Sequence, residues 1–243
     1  MINSLPTYIS LVFGLITLAT LLLFCWTIKN SSLKSTSVKV NKVFISLTLW
    51  LVFQAILSLN NLYNSDTNSL PPKIAVFGIL PTILTILFLF TTLNGKRFVD
   101  SLPLLNLTYV NIVRVPVEIV LYWLFLYKTV PELMTFAGHN FDIIAGITAP
   151  LIAFFGIAKQ KFSTKIILIW NFISLGLLMN IVIIAILSAP FPLQKLAFNQ
   201  PNIAILNFPI SWLPTFIVPT VLFGHLVSIR QLLINKAIQQ KSI

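Results

Sequence analysis

Seven long apolar runs follow one another along the chain, parted by short polar stretches. They cover roughly Thr7 to Ile28, Val43 to Tyr63, Ile74 to Leu93, Leu104 to Tyr127, Phe141 to Ala158, Ile166 to Leu187 and Phe208 to Leu233. Each is close to the ~20 residues that carry an α-helix across the hydrocarbon of a bilayer. The pattern predicts an all-α polytopic membrane protein, with residues 1–243 forming a single domain of seven transmembrane helices. The run from Phe141 is the shortest and holds Asp142 near its start. Proline interrupts several runs. Pro209, Pro214 and Pro219 recur at a constant spacing in the last one. There Pro209 is expected in the first helical turn, while Pro214 and Pro219 each remove a backbone hydrogen bond. The outer half of that helix is therefore expected to bend or unwind.

The polar residues inside the runs fall on stripes. Asn111, Arg114, Glu118 and Tyr122 share one helical face, as do Ser46, Trp50, Gln54, Ser58 and Asn61. Asn171, Ser174 and Asn180 mark a third stripe, and Ser211, Thr215 and His225 a fourth. Lipid cannot hydrogen-bond such groups, so these faces are expected to meet inside the bundle.

Charge enters through its distribution. With seven spans, Lys29, Lys34, Lys39, Lys42, Lys96, Arg97, Lys159, Lys161, Lys165, Arg230, Lys236 and Lys241 share one side of the membrane. Lys73, Lys128 and Lys195 are on the other, and Arg114 is within the membrane. A bias of twelve to three places the N-terminus outside and the C-terminus in the cytoplasm. It also accounts for the net charge of +11 without nucleic acid as a partner. Composition agrees: 57% of residues are hydrophobic and 9% charged, against about 25% charged in soluble domains. The lipid bilayer is the expected partner, with a small-molecule or ion ligand of unspecified identity. The oligomeric state is left open.

The candidate chemistry centres on Arg114 and Glu118, one helical turn apart with Pro116 between them. Charges at that depth are paired and serve either architecture or function. Both readings stand: a structural ion pair, or a substrate or proton site lined by Asn111, Tyr122, Gln54 and Asn171. In the functional reading Glu118 accepts a proton or a cation, and Arg114 is its partner or an anion anchor. Pro116 is expected to bend the helix between the two charges. His139, Asp142 and His225 extend the site into a possible proton route, with gaps that need water or Tyr122 as bridges. His139 and Asp142 are expected at a solvated helix start near the outer surface, and His225 towards the inner one. The two histidines then cannot share a metal, and no paired spacing of ligands occurs, so neither metal nor cofactor is expected. The single cysteine, Cys25, permits no disulfide within the chain.

Known seven-span classes leave little mark. No lysine sits mid-span for a retinal, and the receptor motifs Asp/Glu-Arg-Tyr and Asn-Pro-x-x-Tyr are missing from their places. The chain resembles a family of small seven-span bacterial membrane proteins through three segments: the Arg114-Pro116-Glu118 run, His139 through Pro150, and Pro209 through Arg230. That resemblance implies the bacterial cytoplasmic (inner) membrane and attaches no function. The sequence points first to a small-solute or proton-linked transporter. A membrane sensor or lipophilic-ligand binder without transport is the alternative. A membrane enzyme comes last, because no nucleophile and base are suitably spaced.

Overall fold

The computed structural model describes residues 5–241, with side chains through Ile234. The side chains of Lys236 and Lys241, which enter the basic count, lie outside the described residues. In chain order the main helices are α1 (Thr7–Lys29), α2 (Val40–Leu59), α3 (Ala75–Thr91), α4 (Leu93–Asp100), α5 (Leu104–Leu126), α6 (Asp142–Ala158), α7 (Thr164–Ser188) and α8 (Leu213–Ile234). Every regular element among the described residues is helical. Helices α1, α2, α5, α7 and α8 are long and apolar enough to cross a membrane; α6 is shorter, and α3 meets α4 at an angle of 91°.

Polarity is distributed as a bilayer requires. Helix α1 turns Leu11, Leu15, Leu18 and Leu22 outward, and α7 does the same with Ile166, Ile169 and Ile173. The buried positions instead collect Gln54, Asn111, Arg114, Glu118, Asp142, Asn171 and His225. Apolar surface outside and hydrogen-bonded polar groups inside is the arrangement lipid favours. Helices α5 and α8 form the centre. Half of each is buried, against 17% of α2. Helix α5 packs on α1, α6 and α8, and α8 also packs on α7 and α3.

The α3–α4 corner departs from the expected third span. The helix does not run on to Leu93; the chain turns after Thr91 and starts a new helix at Leu93 that contains Asn94 and Gly95. The Thr92 hydroxyl caps that helix by accepting from the Gly95 N–H at 3.1 Å. A Cβ at Gly95 would come within 2.4 Å of the Leu89 carbonyl oxygen, so the corner requires glycine there. Helix α4 is tied to α8 by the Arg230–Asp100 ion pair and by Gln231, which donates to the carbonyls of Val99 and Leu102.

Proline shapes three of the helices. Helices α3, α6 and α8 contain π-helical segments at Ala75–Ile79, Ile152–Ala158 and Leu213–Ile217, beside Pro81, Pro150, and Pro214 with Pro219. The expected irregularity of the last span is present, but the helix starts later than the sequence suggests. Phe208 to Ser211 form turns, so Pro209 precedes the helix rather than occupying its first turn. Pro219 cannot donate to the Thr215 carbonyl, and Pro81 cannot donate to that of Phe77. Two side chains of α2 take those places: Trp50 Nε1 donates to Thr215 O and Gln54 Nε2 to Phe77 O, both at 3.0 Å. The two π-segments touch at Gly78, where a Cβ would come within 2.4 Å of Thr215 Cγ2. In α5 the irregularity lies ahead of Pro116, as a 3-10 turn over Asn111–Val113. This turn includes Ile112, whose carbonyl the proline ring crowds, so the helix tightens there.

Candidate functional site

Arg114 projects from α5 into the middle of the bundle and is 3% exposed. Its main partner is Asp142 at the start of α6. Nε donates to Oδ2 at 2.7 Å, and Nη2 donates to Oδ1 of the same carboxylate in a bidentate pair. Nη2 also donates to the Ser174 carbonyl of α7 at 2.9 Å. Nη1 donates to Asn111 Oδ1 at 3.2 Å and lies 3.1 Å from His225 Nε2 of α8. The other ring nitrogen, Nδ1, is 3.0 Å from Asn171 Oδ1, and Asn171 in turn donates to the Ile167 carbonyl. One guanidinium thus joins four helices, using the planar fork that suits arginine to bidentate carboxylate pairing.

Helix α6 reaches Arg114 because it can approach α5 closely. Gly146 lies against Val115 and Arg114, and a Cβ there would come within 2.8 Å of Val115 Cγ2. Asp142 is therefore buried in the network and not at a solvated helix start as the sequence reading has it. Its pairing with Arg114 offsets its desolvation. His225, similarly, is fully buried beside Arg114.

Glu118 is not the partner of Arg114 in an ion pair. It is 1% exposed, and its Oε1 accepts from Asn140 Nδ2 at 2.6 Å. Its Oε2 is buried without a hydrogen-bond partner among the described residues. Asn140 also donates to the Met134 carbonyl, and its Oδ1 accepts from the Asp142 N–H at 3.0 Å. Glu118, Asn140, Asp142, Arg114 and His225 thus form a continuous series. Of the residues singled out from sequence, Asn111, Arg114, Glu118, Asp142, Asn171 and His225 come together. The gaps expected between them are closed by Asn140 and by the length of the arginine side chain, with no part for Tyr122.

Three predicted residues lie elsewhere. Tyr122 stacks on Phe136, with ring centroids 4.9 Å apart. Gln54 is buried between α2 and α3, where it accepts from the Tyr63 hydroxyl and donates to Phe77. His139 is exposed, and its carbonyl accepts from Asn180 Nδ2 at 2.9 Å. It lines a cleft of about 470 Å³ together with Phe125, Glu132, Gly138, Asn199 and Gln200. Asn140, which sequence reasoning missed, sits in the loop ahead of α6, where no periodicity marks it.

Residues 71–233 match a family described as a domain of unknown function, DUF8737, over more than half of the chain. The chain belongs to that family. The DUF8737 segment contains every member of the network, from Asn111 to His225, whereas Gln54 and Trp50 precede it. No curated protein and no solved structure matches the chain.

Proposed function

We propose that this protein is a proton-linked transporter of a small solute in the bacterial cytoplasmic membrane, with Glu118 as the group that takes up and releases the proton. The observation that carries the reading is Oε2 of Glu118, buried and unpartnered among the described residues in a carboxyl that is otherwise held in place. A buried carboxyl oxygen without a donor is costly as an anion, and a proton or a small cation relieves that cost. The series from Asn140 through Asp142 and Arg114 to His225 offers polar contacts along which a change at Glu118 reaches α6, α7 and α8. Arg114 and Asp142 then position the helices around the site, and Asn111 and Asn171 hold Arg114 and His225.

In this reading the chain crosses the membrane seven times, with its N-terminus outside. Helix α3 supplies one of the two spans beyond the five long helices. The other is α6, which at 1.5 Å per residue is roughly 25 Å long and nearly matches the hydrocarbon thickness. The basic bias supports the orientation. The experiment is proton flux into liposomes that contain the purified protein. Glu118→Gln is expected to stay folded and to lose flux. Flux equal to that of the unaltered protein would reject Glu118 as the proton-carrying group.

A sensor reading is favoured by one separate observation. The loop that carries Asn140 also forms part of the cleft around His139. Ligand binding that leaves liposome flux at zero would select it.

A further inference from the structure

We infer that the cleft around Glu132 and His139 binds a small organic cation bearing N–H groups, such as a primary ammonium or guanidinium compound. The volume, about 470 Å³, is that of a small-molecule site. Its walls come from two segments, Phe125 to His139 and Ala197 to Gln200. They are held together from below: Gln200 Nε2 donates to the carbonyls of Phe125 and Val130 at 3.1 and 2.6 Å. That use of its donors leaves Gln200 its amide oxygen as the group to offer a ligand. Glu132 adds a carboxylate to the cleft, and Asn199 and His139 add further acceptor capacity. Among the described residues no lysine or arginine lines the cleft, although the chain holds 16 of them and only five acidic residues. A cleft that offers one carboxylate and the acceptors of Gln200, Asn199 and His139 selects a cation that can donate hydrogen bonds.

The loop beneath the cleft gives binding a route to the buried network. Gly138 packs so closely on the Glu132 carbonyl that a Cβ would come within 2.2 Å of its oxygen. The His139 carbonyl is fixed by Asn180, and the next residue, Asn140, is the partner of Glu118. A cation seated between Glu132 and His139 therefore acts one residue away from the amide that holds the Glu118 carboxyl. Calling this ligand the substrate rests on the transporter reading above; the binding itself does not.

The experiment is calorimetric titration of the full-length protein in nanodiscs with propylammonium, tetramethylammonium and propionate. Propylammonium is expected to bind, tetramethylammonium to bind less tightly for want of N–H groups, and propionate not to bind. Glu132→Gln, at an exposed position, should weaken propylammonium binding about tenfold while leaving thermal unfolding unchanged. Glu118→Gln should still bind propylammonium. Binding of propionate as tight as that of propylammonium, or propylammonium binding unaffected by Glu132→Gln, overturns the inference. Lost binding with intact proton flux overturns this inference alone. Intact binding without flux overturns the transporter reading alone.

Discussion

At the scale of single residues, the pairing of Arg114 determines what its removal does. Breaking a buried ion pair leaves an uncompensated charge, which costs about 3–5 kcal/mol. Arg114→Met and Asp142→Leu are each expected to lower stability by that order, measured by thermal unfolding in detergent, and the double variant should recover most of the loss. Arg114→Met combined with Glu118→Gln should show no such recovery, because Glu118 is bonded to Asn140 instead. The residues of this network were legible to different degrees. Asn111, Arg114 and Glu118 announce themselves as polar groups on one face of an apolar helix. Asp142 does not, since a carboxylate at the start of a span reads as solvated, and its burial follows from how closely Gly146 lets α6 approach α5. Gln54 and Tyr122 show the complementary limit. A stripe tells which face is polar but not which neighbour it meets, and these two meet Tyr63 with Phe77, and Phe136.

At the scale of elements, proline irregularity and its repair are divided between sequence and packing. The unwinding of α8 was readable from Pro214 and Pro219, because a missing donor is a property of the residue. The position of the helix start was not, because it depends on where the loop packs. The donors from α2, Trp50 and Gln54, were visible as a stripe, yet nothing in the sequence pairs them with Thr215 and Phe77. The contact between the two π-segments gives a direct check. Gly78→Ala should destabilise the protein, since its Cβ lies too close to Thr215 Cγ2, and a clash of this kind costs about 1–3 kcal/mol. Thr215→Ser removes that methyl group, so Gly78→Ala should be tolerated better in the Thr215→Ser background. Equal losses of melting temperature in both backgrounds would show that the two helices do not meet at this point.

At the scale of the whole molecule, the proposed seven spans and the basic bias make a prediction about sidedness. A reporter active only outside the cytoplasm should work when fused at Asn68 or Gln194 and fail at Ser35, Gln160 or Gln239. Ser35 and Asn68 reporting the same side would mean that α2 does not cross. The charged contact between α4 and α8 contributes little to holding the molecule together. Arg230 and Asp100 are 29% and 40% exposed in their side chains, so Asp100→Asn should change thermal unfolding by at most about 1 kcal/mol.

The pairing of Arg114 with a residue 28 positions later also bears on how the chain is made. Membrane helices leave the ribosome one after another, and α5 emerges before Asp142 has been synthesised. Until then, of its hydrogen-bond partners in the folded protein, the guanidinium has only Asn111, and an unpaired arginine at the centre of a helix disfavours insertion by about 2.5–3.5 kcal/mol. Integration of α5 should therefore wait for α6, the two entering the lipid as a hairpin closed by the ion pair. Chains truncated after Tyr127 should integrate α5 poorly in a glycosylation-mapping assay, and chains extended through Ala158 should integrate it well. Asp142→Leu in the longer chain should return α5 to the poor outcome, because the partner that arrives is then no longer a carboxylate.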